Sequence, residues 1–120
     1  MKTFAKVVIM LVRLLALVEL GLGVAIASAR GLPHLKVHIV LGFAMSLLLL
    51  LLAILAAFKR MAVPVILGAA FAFLLPYIGL KQFPIKFGPA LGWIQYTHVI
   101  VALLTIGVAE MVYAKIRRTA

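Results

Sequence analysis

The sequence predicts an all-α protein, an up-down bundle of four transmembrane helices, and three observations carry that prediction. The first is composition. Of 120 residues, 68% are hydrophobic and mean hydropathy is +1.32, against roughly 45–50% apolar residues in a soluble domain. A chain this apolar cannot cover a water-facing surface with polar groups, so lipid must be its solvent. The second is spacing: four apolar stretches each approach the ~20 residues needed to cross a hydrocarbon core of ~30 Å. Helices are expected at about 7–28, 33–58, 61–80 and 91–115 of a single membrane domain. The third is charge placement. Glu19 and Glu110 are the two acidic residues against twelve Lys and Arg, and the basic residues gather at the ends of the apolar stretches.

Each element has its own signals. Lys2 and Lys6 precede the first apolar run, which is longer than the ~7–15-residue apolar region of a signal peptide. It also contains Arg13 and Glu19, so it reads as a retained first helix that directs insertion. Ala29, Arg30, Gly31, Leu32 and Pro33 end it, and Pro33 suits the first turn of the second helix. Lys59 and Arg60 form a charged two-residue turn that folds the second and third helices into a tight antiparallel hairpin. Pro64 falls in the first turn of the third helix, whereas Pro76 should kink or finish it. The segment from Lys81 to Ala90, with Pro84, Gly88 and Pro89, reads as an ordered loop or a short re-entrant piece before the fourth helix. Gly21, Gly23 and Ala25 in the first helix, and Gly68, Ala69, Ala70 and Ala72 in the third, permit close helix contact.

Orientation follows from the basic residues. Lys2, Lys6, Lys59, Arg60, Lys115, Arg117 and Arg118 share the side of the termini, and Arg30, Lys36, Lys81 and Lys86 lie on the other. Seven against four places both termini in the cytoplasm, with a prokaryotic cytoplasmic membrane as the expected location. Trp93, Tyr77 and Tyr96 then make an outer aromatic belt, with Tyr113 and Phe58 at the inner face.

Composition also excludes functions. With no cysteine, disulfides, zinc-thiolate sites, iron–sulfur clusters and thiol catalysis are removed together. The formal charge of +10 sits where topology and anionic headgroups require it, so the expected partners are the lipid bilayer and other membrane subunits or further copies of the chain, and not nucleic acid. No nucleophile–base pair, Gly-rich phosphate loop or paired catalytic carboxylates can be found, so catalysis by this chain alone is not expected.

Ionisable residues within spans are functional-site hypotheses, because each costs at least ~2.5–3.5 kcal/mol to insert. Here they are Arg13, Glu19, His98 and Glu110, with His38 at the lip of the second helix and His34 one turn before it. Arg13 and Glu110 lie at similar depths, ~9 Å and ~6 Å from the same face at 1.5 Å per residue. They read as an ion pair locking the first helix to the last, or as part of a proton path. Glu19 is near mid-membrane on a different face of its helix, suited to a buried protonated carboxyl or to contact with a cofactor, a quinone or a partner subunit.

His38 and His98 form the sharpest pair. Both begin helices that run in the same direction, and their depths differ by roughly 7 Å at most. Two imidazoles from different helices of a bundle can clamp one haem iron. Gly42 and Ala102, each one turn beyond its histidine, would leave room for a flat macrocycle. On this architecture and these two histidines the chain resembles small four-helix haem-b membrane cytochromes, a resemblance that implies haem b and electron transfer. Simple capping at an interface, or a quinone, chlorin or copper site, are the alternatives. His34 and His38, at i and i+4, could share a metal, but no neighbouring carboxylate, cysteine or methionine in sequence completes such a site. The stretches Val37 to Val40 and Thr97 to Ile100 also align as the two halves of a weak internal repeat, which would imply a pseudo-twofold axis along the membrane normal.

Three functions therefore stay open: a haem-binding electron-transfer or accessory subunit of a larger bioenergetic complex, a structural subunit without cofactor, and a small proton-coupled transporter acting as an oligomer.

Overall fold

The structure, a computed structural model, describes residues 1–27, 35–82 and 89–119. They form four helices: α1 Lys2–Ala27, α2 Leu35–Phe58, α3 Ala62–Leu80 and α4 Pro89–Arg118. At 1.5 Å per residue the shortest, α3 with 19 residues, is about 28 Å long, and the longest, α4 with 30, about 45 Å. All four are long and apolar enough to cross a membrane. The outer surface agrees with a lipid solvent: Leu17, Val24, Phe58 and Phe73 are each about 70% exposed although water would penalise them heavily.

The helices outrun the apolar stretches at the termini because hydrogen bonding continues past the hydrocarbon. α1 already begins at Lys2 and α4 persists through Lys115 and Arg117. α3 is not finished by Pro76 but continues to Leu80. Pro33, His34 and most of the segment between α3 and α4 lie outside the described residues.

The α2–α3 turn has a clear backbone logic. The Met61 amide donates to the Ala56 carbonyl at 3.1 Å and the Arg60 amide to that of Ala57 at 2.9 Å. These are the paired bonds of a Schellman motif, which needs a left-handed residue at its centre. Arg60 fills that position with φ of 56°, where glycine is the usual choice.

α1 packs on α2 and α4, and α3 packs on the same two helices. α2 and α4 also meet across the bundle diagonal, whereas α1 and α3 make no direct contact among the described residues. Each helix turns a 3–4 spaced ridge inward, as left-handed bundles require. On α1 the buried ridge runs Ala5, Ile9, Val12 and Ala16, and on α2 Met45, Leu49, Leu52 and Ala56. On α3 it is Gly68, Ala72 and Leu75, and on α4 Val101, Thr105, Ala109, Val112 and Ile116. The largest fully buried side chains are Thr105 and six aliphatic ones, Ile9, Val12, Leu49, Leu52, Val112 and Ile116, and the aliphatic six belong to the half of the bundle near the termini. That half is an aliphatic core.

Candidate functional site

Extending these ridges away from the termini explains where the polar residues go. Continuing α1 by three and seven residues beyond Ala16 reaches Glu19 and Gly23. Stepping α2 back from Met45 reaches Gly42 and His38, and stepping α4 back from Val101 reaches His98. The helical repeat that buries leucines in one half therefore turns a carboxylate and two imidazoles inward in the other.

The diagonal proximity of α2 and α4 brings the histidines together. The ring centroids of His38 and His98 are 6.3 Å apart, with planes at 84°. Glu19 reaches across from α1, its Oε2 3.0 Å from His38 Nδ1, and both side chains are largely buried at 11% and 20% exposure. The contact is short but not aligned as a hydrogen bond: Glu19 Oε1 and His38 Nδ1 both lack a bonded partner, as do His98 Nδ1 and Ser46 Oγ. Buried polar atoms are ordinarily satisfied. Thr105 shows the ordinary solution, donating its hydroxyl to the Val101 carbonyl at 2.7 Å. Three of these unsatisfied polar atoms, on Glu19, His38 and His98, fall in this half of the bundle.

Glycines shape the pocket walls. A Cβ at Gly79 of α3 would lie 3.0 Å from His98 Cε1, so the imidazole lies on bare backbone. Gly23 plays the looser equivalent for His38, with a Cβ 3.8 Å from its Cε1. The space beside Gly42 is taken by the Glu19 carboxylate, since a Cβ there would sit 3.2 Å from Oε2. Ala102 is half-buried against the aliphatic core.

Sequence spacing did not foresee the Glu19–His38 contact: no carboxylate near His38 in the chain completes a site, and the one that approaches comes from the preceding helix. The contribution of Gly79 was likewise not legible from its neighbours in sequence. The available signal for Glu19 was its place on the ridge Ala5, Ile9, Val12, Ala16, Glu19.

Arg13 and Glu110 are joined elsewhere. Arg13 Nε donates to Glu110 Oε1 at 2.6 Å and Nη2 to Oε2 at 2.9 Å, a bidentate fork of the strong, geometrically specific kind. The Tyr113 ring lies 6.0 Å from the Arg13 guanidinium and 5.9 Å from that of Arg117. This pair is half exposed on the outer face where α1 meets α4, away from the inward ridges. It ties the first helix to the last and shares no path with the histidines. The open grooves around Met61, Val63, Lys115 and Arg118 lie at the terminal end among basic residues and contain neither His38 nor His98.

The donor set limits what the site can hold. Among the described residues no three His, Cys, Asp or Glu side chains converge on a common metal position. His34 lies outside those residues, so a His34–His38 site stays an expectation of spacing alone. Two imidazoles suit an ion whose remaining ligands come from a macrocycle. With metal–nitrogen bonds of about 2.0 Å and each ring centroid roughly 1.1 Å behind its nitrogen, two axial histidines place their centroids about 6 Å apart. The 6.3 Å separation matches that spacing and equally that of an edge-to-face ring contact; the room that Gly42 was expected to leave for a flat macrocycle is taken by the Glu19 carboxylate, and that beside Gly79 by the His98 ring.

No family model matches the chain, and no curated protein or solved structure does either.

Proposed function

We propose that the chain is a small haem-bearing electron-transfer or accessory subunit of a larger membrane bioenergetic complex, with His38 and His98 as the residues that would hold the haem. The observation that carries this reading is the convergence of two imidazoles from α2 and α4, 6.3 Å apart, in a bundle interior that otherwise favours aliphatic side chains. Haem b, when bound, supplies reversible one-electron chemistry at iron. The protein's part is to fix two imidazoles from different helices, to support one of them with a carboxylate, and to exclude water. The aliphatic layers of Leu49, Leu52, Val12 and Val112 close the site from the terminal side. Seven basic residues at the terminal end against four at the other support cytoplasmic termini. The site then lies toward the outer face. Trp93, Tyr96 and Tyr77 are exposed at that end, where a quinone ring, a headgroup or a partner subunit has aromatic surface to meet.

Transport by a single chain fits less well. Toward the termini from Glu19 and His38, Leu49 and Leu52 are fully buried and close the bundle interior. The Arg13–Glu110 pair sits on another face. The test is the absorption spectrum of protein purified in mild detergent, oxidised and then reduced with dithionite. Sharp reduced α and β bands, lost in both His38→Ala and His98→Ala, are the expected result. A featureless spectrum from protein isolated with its native partners would leave a structural subunit, for which both variants assemble normally.

A further inference from the structure

The two halves of the bundle repeat one device with one difference. In each half a histidine near the start of the returning helix lies against a glycine of the helix before it: His38 against Gly23, and His98 against Gly79. One turn before Gly23 stands Glu19, with its carboxylate 3.0 Å from His38 Nδ1. One turn before Gly79 stands Leu75, buried at 5% exposure, so the position that holds a carboxylate beside His38 holds an apolar side chain beside His98; neither Nδ1 makes an aligned hydrogen bond. Each imidazole lies beside a glycine, more loosely for His38 than for His98, and a carboxylate stands beside His38.

We propose that Glu19 is a positioning residue that makes the two histidines unequal ligands. This rests on the haem reading above. A histidine that ligates a metal through one nitrogen almost always gives its other N–H to a carboxylate, a carbonyl or water, which fixes its tautomer and strengthens it as a donor. Glu19 places a carboxylate 3.0 Å from Nδ1, within reach of that N–H, and would leave Nε2 of His38 to hold the iron. Among the described residues no carboxylate stands beside His98, so it is the weaker and more readily displaced ligand. The carboxylate also favours the more highly charged ferric state. Gly42 is part of the same device, because a Cβ there would stand 3.2 Å from Glu19 Oε2 and push the carboxylate by a few tenths of an ångström.

The experiment compares wild-type protein with Glu19→Gln, which is nearly isosteric, and Glu19→Asp, which withdraws the charge by one methylene. Each is purified from membranes in mild detergent and titrated potentiometrically while the reduced α band is followed. Glu19→Gln should lose at least tenfold in its preference for ferric over ferrous haem, a rise of about 59 mV for a one-electron couple. Glu19→Asp should fall between. In parallel, His98→Ala should keep haem in a five-coordinate spectrum while His38→Ala loses it. A midpoint in Glu19→Gln equal to that of wild type, or retention of haem by His38→Ala and not by His98→Ala, overturns the inference and leaves the haem reading standing. Absence of haem bands from wild-type protein overturns the haem reading itself, and this inference falls with it.

Discussion

Gly68 of α3 lies close against the α2 backbone, and substituting it gives a quantitative test of the packing. A Cβ placed there would lie 3.0 Å from Ala53 Cβ and 3.6 Å from Ala53 Cα on α2, with Val112 Cγ2 of α4 at 3.8 Å. The first two atoms are backbone or fixed to it, so no rotamer change relieves the contact and the α2–α3 pair must move apart. Overpacking of this kind costs about 1–3 kcal/mol. Against it stands the gain of about 1 kcal/mol that alanine brings over glycine in a helix interior. Gly107 on α4 supplies the control, because a Cβ there meets nothing within 4 Å. Gly68→Ala should therefore be neutral to ~2 kcal/mol less stable than wild type, and Gly107→Ala up to ~1 kcal/mol more stable. Propensity cancels between the two, which leaves a gap of about 1–3 kcal/mol due to packing alone. Reversible unfolding in mixed micelles, titrated with denaturing detergent, reads both. A Gly68→Ala variant as stable as Gly107→Ala would refute this helix packing. Gly68 is in the aliphatic half, so its substitution should leave the histidine site undisturbed.

Two further outcomes follow from the turn and the surface ion pair. Arg60 holds a left-handed conformation with φ of 56°, which costs a non-glycine residue roughly 1–2 kcal/mol. Arg60→Gly should raise the unfolding midpoint in the same assay, and a drop would show that the side chain compensates for the strain. The bidentate Arg13–Glu110 fork should couple its partners: Arg13→Leu and Glu110→Leu should each be less stable than the double variant carrying both. Strictly additive losses in that double-mutant cycle would show that the pair does not act as a unit.

How much of this was legible beforehand depends on which coordinate of a helix is asked for. Depth along the axis can be counted in residues, so the four spans and the approach of Arg13 to Glu110 followed from hydropathy and a rise of about 1.5 Å per residue. Rotation about the axis is harder, because an all-apolar helix such as α2 carries little contrast between its faces. The pairing of Glu19 with His38 depends on that rotation. It becomes readable only when both residues are placed on the 3–4 ridges that also bury Ile9, Val12, Leu49 and Leu52. Gly79 was illegible for a different reason: its role is set by a side chain 19 positions away on another helix. The helix ends were underestimated because hydropathy reports where hydrocarbon begins, whereas backbone hydrogen bonding continues to Lys2 and Arg118. Diagonal contact between α2 and α4 was the remaining unknown, and it decides whether His38 and His98 can face one another.

The central claim is that these two histidines hold one haem between them. Its most direct test is the reduced-minus-oxidised absorption spectrum of the purified chain, recorded for wild type, His38→Ala and His98→Ala. Sharp six-coordinate α and β bands in wild type, absent from both variants, are predicted. A wild-type spectrum without these bands, in protein isolated with its native partners, or bands that survive loss of either imidazole, would contradict it.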